Sequence, residues 1–451
     1  MSSRELLSLE EDPIVVTGMG CVTPLGLDVQ STWDGLMAGR NGFINLREET
    51  DLLKDYSLDA IRAEVAAPVS AAFDLKENPI FDKRELRKKF SDWHRATQFG
   101  IWAAAQATEQ AGLLAEQDGV PILKLHGDID PFRVSVFNGT GIGGAAELIE
   151  IHERLTTKER PIVPSMTMRT LPERVASVLS MELGSRGPTA VLMGACATGN
   201  MNIAQGYLML KSGMTDIAIV GGTEAAIIPE ALAMFDGVGA MDRTTDPSQA
   251  SRPFHEDENG FIMGEGAGIL VLERESRAKA RGAIILARLS GIGWTSDAFH
   301  DTFPDPDGVG QIRAMNDALE EAASFIDPSE SGYVNPHGTG TGGDDGELRA
   351  MSNSNIRHTG NRKTVASSTK SSMGHTIGAA GAIESVVVVK AIEEREAPAT
   401  LKYSPETAVE SARDWDIVYD SPRSIPDVGW GVNNSFGFGG FDTVTVYTRP
   451  R

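Results

Sequence analysis

The feature that most constrains this 451-residue chain is that it repeats itself. The segment VFNGTGIGG at residues 136–144 has a counterpart in NPHGTGTGG at residues 335–343, and five of eight positions agree between the cores FNGTGIGG and PHGTGTGG. Gly18-Met-Gly20 is matched in the same order by Gly291-Ile-Gly293, each pair accompanying an apolar run. Chance produces either match alone. Two in register point to one duplicated unit, with a break near Gly282. The expected halves are residues 12–282 and 283–451.

The unit itself reads as α/β. Residues 14–20, 133–139, 189–196 and 216–221 are short β-branched runs that end in glycine or a tight turn, the pattern of buried strands. Helices intervene. Thr170-Leu-Pro-Glu173 reads as a capping box, Val175, Val178, Leu179 and Leu183 recur at helical spacing, and Gly184 stops the run. TVTVYT at residues 443–448 reads as a half-exposed strand, and the alternation is that of an α/β fold. Both repeat copies satisfy G-x-G-x-x-G, at Gly139, Gly141 and Gly144 and at Gly338, Gly340 and Gly343. The motif suggests a dinucleotide site, but its presence in both halves suits a structural turn better.

Charge and cysteine content exclude several classes. A net charge of −22 and a pI near 4.8 argue against a nucleic-acid partner. Two cysteines cannot form a disulfide framework, so a reducing compartment is expected. The opening MSSRELLSLEED lacks the order of a signal peptide, and the apolar run at residues 385–392 contains Lys390. A cytoplasmic protein without membrane insertion is the expectation. One basic run reverses the charge: Lys83, Arg84, Arg87, Lys88 and Lys89 form either a solvated helix face or a docking spot for an acidic partner.

Three residues stand out chemically. Cys196 lies where an apolar strand meets a helix, in TAVLMGACATGNMNIAQG, so orphan N–H groups and the positive helix end face its thiol. That setting favours a thiolate nucleophile; the bland alternative is an inert buried cysteine, which is the reading for Cys21. His337 and His375 sit between glycines, which offer no side chains to pack against. Lys370 precedes His375 in SSTKSSMGH, and Glu384 lies in the helix that follows. His94, His126, His152 and His358 lie in polar or helical surroundings and read as surface residues; His255 and His300 are undecided. A thiolate can take an acyl group from a thioester, and two imidazole N–H donors can stabilise the enolate of a decarboxylating malonyl thioester. A lysine nearby would hold one histidine in its donor tautomer. No spacing resembles a closed metal site.

At these residues the chain resembles the elongating β-ketoacyl-acyl-carrier-protein synthases, the ketosynthase I and II group. The resemblance rests on GACATG around Cys196, SRPFHEDENGFIMGEGAGILVLE from Ser251, NPHGTGTGGD around His337, SSTKSSMGHTIGAAGAIES around Lys370 and His375, and NNSFGFGG from Asn433. It implies a thiolase-like duplicated α/β/α/β/α five-layer fold, normally a homodimer. It implies that an acyl group passes to Cys196 and is condensed with malonyl-carrier protein by decarboxylation. His337 and His375 are then the decarboxylation pair, Lys370 their support and Glu384 a structural residue behind them. The N–H groups of Cys196 and Phe438 form the oxyanion hole, and Phe438 also gates the site. Ile142 matches a position that limits acyl-chain depth, and Arg84, Arg87 and Lys88 fall where relatives bind the acyl carrier protein. No cofactor is implied beyond the phosphopantetheine arm that the carrier brings.

The chain departs from the family pattern at three points. Ala197 and Thr198 replace a Thr-Ser pair, His337-Gly-Thr-Gly-Thr-Gly342 replaces HGTSTP, and the gating loop ends Gly439-Gly-Phe-Asp442 where GGTN is common. A bulky Phe441 and a charged Asp442 are expected to alter gating or acyl preference. That makes a specialised polyketide-like pathway, with a non-catalytic chain-length partner, the alternative to fatty-acid synthesis. A thiolase needs a later cysteine, an initiating synthase uses Cys-His-Asn, and a chain-length subunit lacks the nucleophile; the residues oppose all three.

Overall fold

Each half opens on an apolar strand that carries one glycine pair: β1 (Ile14–Val22) and β6 (Ala287–Ser296) in the computed structural model, which describes residues 12–75, 93–117, 120–157, 161–359 and 364–450. A Cβ on Gly18 or Gly20 would collide with the carbonyls of Ala107 and Ala103 in helix α1 (Arg95–Gln110). A Cβ on Gly291 or Gly293 would do the same with Ala318 and Ala314 in helix α4 (Val309–Ala322). The glycines thus let one alanine-rich helix lie directly on each sheet. Both strands also bulge at the pair, between Val16 and Gly18 and between Leu289 and Gly291.

The remaining strands repeat the same plan. Strands β2 (Val134–Gly139), β3 (Thr189–Ala190), β4 (Ile217–Ala225) and β5 (Met263–Arg274) give the order β3-β2-β4-β5-β1. Strands β7 (Ser331–Asn335), β8 (Val365–Ala366), β9 (Val428–Gly437) and β10 (Phe441–Thr448) give β8-β7-β9-β10-β6. In each order the first three strands run parallel and the last two antiparallel. β1 pairs with β6 at residues 14–16, which joins the sheets along one edge.

Two central helices separate the sheets: α3 (Thr198–Lys211) and α6 (Ala380–Glu394). Each packs on strands of both sheets and on the other helix. They cross at glycines, since a Cβ on Gly199 would stand 2.6 Å from Ala382 N and one on Gly381 3.0 Å from Asn200 N. Outside, α2 (Arg174–Leu183) joins α1, and α5 (Asp344–Asn353) joins α4, which completes the α/β/α/β/α layering. The central helices are buried almost all round, with Val386, Val387, Val388 and Val389 of α6 all in the core.

Local signals misled at four places, the first being the strand at residues 443–448, which is buried on both faces rather than half-exposed. Thr170 does not cap α2; it ends the helix Ser165–Arg169, and its hydroxyl donates back to Thr167. Its backbone is pressed against Gly144, a tertiary contact that overrides the local motif. The strand expected over residues 189–196 stops at Ala190, because the Asn202 side-chain amide takes over both backbone groups of Leu192. His94 is buried rather than exposed; it caps α1 by accepting from Thr97 N, and burial pushes its pKa down to about 4. His126 and His152 are exposed, and the His358 side chain lies outside the described residues, as do Arg84, Arg87 and Lys88.

Candidate active site

Cys196 sits in a 3-10 turn, Ala195–Ala197, that feeds directly into α3. Ala195 holds φ at 47°, a left-handed conformation costly for a residue with a Cβ, and this turns the thiol out of the chain path. No side chain caps α3, whose positive end faces the elbow, although Thr198 N already donates to Ala195 O. The turn at residues 437–440 closes over it: a Cβ on Gly437 would collide with Gly194 O, and the Phe438 N–H points at the cysteine sulfur. Burial nevertheless dominates the thiol and pushes it up to about 12, opposed by the Lys370 charge and the Phe438 N–H. The resting thiol is therefore protonated, against the thiolate expected from the helix end alone.

The imidazoles converge on this sulfur. Cys196 Sγ and one nitrogen each of His337 and His375 lie within 4.8 Å of one another. The two rings stand edge to face, with centroids 5.3 Å apart. His375 is anchored through its backbone to Ile262 and Gly264, and its ring stands near-perpendicular to that of Phe261 with centroids 5.1 Å apart. Both His375 nitrogens and His337 Nδ1 lack hydrogen-bond partners among the described residues. Burial, then the Lys370 charge, holds both histidines well below their ordinary pKa, so each is a neutral ring with one N–H to offer. Among the described residues no hydrogen bond joins Lys370 to either ring; its ammonium is paired with Glu384 in a buried contact. It acts on all three groups through its field.

A cavity of about 430 Å³ opens onto Cys196, His337, His375 and Phe438. Ile142 is not on its wall. It packs with Phe261, Ile377 and Leu232 in an apolar cluster behind the His375 ring. Phe441 turns toward Gly194, under the elbow, while its neighbour Asp442 lines the cavity wall. Asp442 is buried and pushed up to about 9, first by burial and then by Asp297 and Asp305. It is a protonated acid at neutral pH, not the charge expected.

Residues 11–278 match the family described as Beta-ketoacyl synthase, N-terminal domain, and residues 286–404 its C-terminal domain. The chain belongs to the β-ketoacyl synthase family. It is 34% identical to the 3-oxoacyl-[acyl-carrier-protein] synthase 2 of Staphylococcus aureus over 97% of this chain and 98% of that one. It is equally identical to the synthase of the same name from Vibrio cholerae, over 97% and 99%. Among solved structures, a β-ketoacyl synthase from Burkholderia phymatum superposes with a TM-score of 0.82 at 28% identity, covering 98% of this chain and all of that one. The ishigamide ketosynthase/chain length factor gives 0.81 at 29%, with the same coverage.

The synthase holds its glycine turns with carboxylates that the sequence reading passed over. Glu347 accepts from the N–H groups of His337 and Gly338, and Asp344 from those of Thr339 and Gly340. Burial pushes Glu347 up to about 7 against those donors. In the first half, Glu224 accepts from Thr140 Oγ1, Gly141 N and, across the halves, Gly378 N. These acids occupy the N–H groups a nucleotide phosphate would need, which disposes of the dinucleotide reading. An acid shortly after a glycine turn, as in GTGTGGDDGE, is the signal that marks Asp344 and Glu347. Cys21 is buried beside Thr32 and pushed up to about 12 by burial, an inert thiol.

Proposed function

We propose that this condensing acyltransferase loads an acyl chain on Cys196 and extends it with a malonyl unit, both delivered on a carrier protein's phosphopantetheine arm. The observation that carries this is one thiol and two neutral imidazoles within 4.8 Å of one another, with the Phe438 N–H directed at the thiol. In the first step the Cys196 sulfur attacks the thioester carbonyl, and its proton leaves with the departing pantetheine thiol. The N–H groups of Cys196 and Phe438 receive the oxyanion. In the second, malonyl thioester loses CO₂, and His337 and His375 donate to the enolate oxygen. The enolate carbon then attacks the acyl-cysteine, the C–S bond breaks, and the thiolate regains a proton. Lys370, fixed by Glu384, keeps the site positive while that charge develops.

Further features extend the reading. The chain comprises the two units 12–282 and 283–451, with Ile142 limiting acyl depth and Arg84, Arg87 and Lys88 receiving the carrier. A homodimer is supported by β3, an exposed sheet edge, and by the exposed apolar side chains Leu148, Leu155, Met168 and Met193 in the same half of the chain. The likeness to a ketosynthase/chain length factor favours a second reading, in which a non-catalytic partner takes that edge. Among the described residues no helix is long and apolar enough to cross a membrane, in keeping with a cytoplasmic enzyme. The test is intact mass after incubation with acyl-carrier thioesters, followed by malonyl-carrier protein. An adduct absent from Cys196→Ala and cleared with release of a β-ketoacyl product supports the reading; no adduct with any chain sinks it.

A further inference from the structure

The hairpin that carries the gate is tied to a second segment of the cavity mouth. Asp297 N donates to Gly440 O, and Gly439 N donates to Asp301 O. Residues 297–306 line the mouth, among them His300, Phe303 and Asp305. Behind these backbone ties stand two acids. Asp442 is 1% exposed, and its Oδ2 has no hydrogen-bond donor among the described residues; Asp297 Oδ1 is in the same state. A Cβ on Gly310 of α4 would collide with both oxygens, so they crowd one point in the wall. Asp442 is buried and Asp297 half-buried, with Asp297 Oδ2 accepting from Asp305 N, and two carboxylates crowded at one such point resist ionising together.

We propose that Asp442 and Asp297 share a single proton, and that this proton latches the 297–306 segment to the gating turn. Both are positioning residues. The inference rests on the reading of residues 437–440 as the gate.

The surroundings leave the proton to this pair. The facing strand β6 offers the Thr295 hydroxyl, which donates to Gly310 O and is also a hydrogen-bond partner of the Asp442 carboxylate, an opposing pull that burial and Asp297 outweigh. From α4 come Gly310 and Gln311, and from β9 comes Phe436, none of which titrates. Asp305 is the remaining acid close by, and its carboxylate accepts from the N–H groups of Asp307 and Val309. His300, Arg349 and Asp344 line the same mouth. In the closed state Asp442 is held up to about 9 by burial and then by Asp297. Opened to water it returns to about 4. The closed state thus binds one more proton between those values. Its share falls by up to about tenfold per pH unit as pH rises through that window, and levels off above it.

Hydrogen exchange in peptides spanning 297–306 and 437–442, corrected for intrinsic chemical exchange, reads the latch at pH 6.5 and 8.5. Wild-type protection is expected to fall by up to about 100-fold. Asp442→Asn supplies a donor at any pH, so its protection is expected to stay flat. Asp297→Asn supplies one from the other side and serves if the first variant does not fold. An equal decline in wild type and variant, or none in either, overturns the proposal. So does protection set by added Na⁺, K⁺ or Mg²⁺ rather than by pH, which would make the latch a cation. Exchange needs no substrate, so the latch stands or falls whether or not Cys196 takes an acyl group.

Discussion

Ala195 and Ile377 occupy the same point of the two halves, at φ 47° and 45°, each opening a 3-10 turn that leads into a central helix. The next residue is Cys196 in one half and Gly378 in the other. A side chain at Gly378 would collide with Gly141 N, and Glu224 clamps both glycine N–H groups. One elbow presents a thiol; its twin is filled by the backbone of the opposite half. The flanks differ in the reverse sense. His337 aligns with Asn138 in the repeat, and only the second half supplies His375. Duplication thus gave two strained turns, and the centre draws its sulfur from one half and both imidazoles from the other.

That division predicts separable chemistry. Cys196→Ala should lower condensation by about 10³-fold or more while leaving malonyl decarboxylation in place, because the donor pair belongs to the other half. Labelled CO₂ release against product formation checks it, and parallel loss of both would break the division. His337→Ala or His375→Ala should do the converse. Decarboxylation should fall by about 10²- to 10³-fold per lost donor, with the acyl adduct on Cys196 still visible by mass.

The sequence displayed some of this plainly and hid the rest for a physical reason. Cys196, His337 and His375 were legible because each is a reactive group among small residues, where ordinary packing gives it no work. The α/β class and the duplication were legible because glycine pairs such as Gly18–Gly20 and Gly291–Gly293 mark the same helix–strand contact twice. What could not be read depends on distant partners. Asp442 is held neutral first by burial and then by Asp297 across the wall, and Thr170 fails to cap because Gly144 presses on it. His94 looked like a surface residue, yet its side chain caps α1 from inside the fold.

The twin elbow also bears on stability. Gly378→Ala should cost about 2–3 kcal/mol, since its Cβ has no space and its neighbours are backbone atoms. Gly237→Ala, in the helix Pro229–Val238 with nothing within 4 Å of the new Cβ, should be neutral or stabilise by up to about 1 kcal/mol. Denaturant midpoints of the two variants separate a packed elbow from a free glycine. Equal midpoints would mean that the second half tolerates a side chain at its elbow and that the asymmetry is not steric.

The smallest effect is expected where the hairpins of the two halves differ most. Between β4 and β5 the chain makes a long excursion over residues 226–262, which supplies Phe235 and Phe261; between β9 and β10 only residues 438–440 intervene. The short turn leaves Phe441 against Gly194 and Gly439, so its ring props the elbow from below rather than lining the cavity. Phe441→Thr should therefore shift relative rates across a panel of acyl-carrier thioesters by about tenfold, within what one altered apolar contact achieves. Decarboxylation should hardly change, because neither imidazole rests on that ring. Rates scaled equally for every chain length would instead make Phe441 a support for the gate alone, and acyl choice would fall to the Ile142 and Phe261 cluster behind His375.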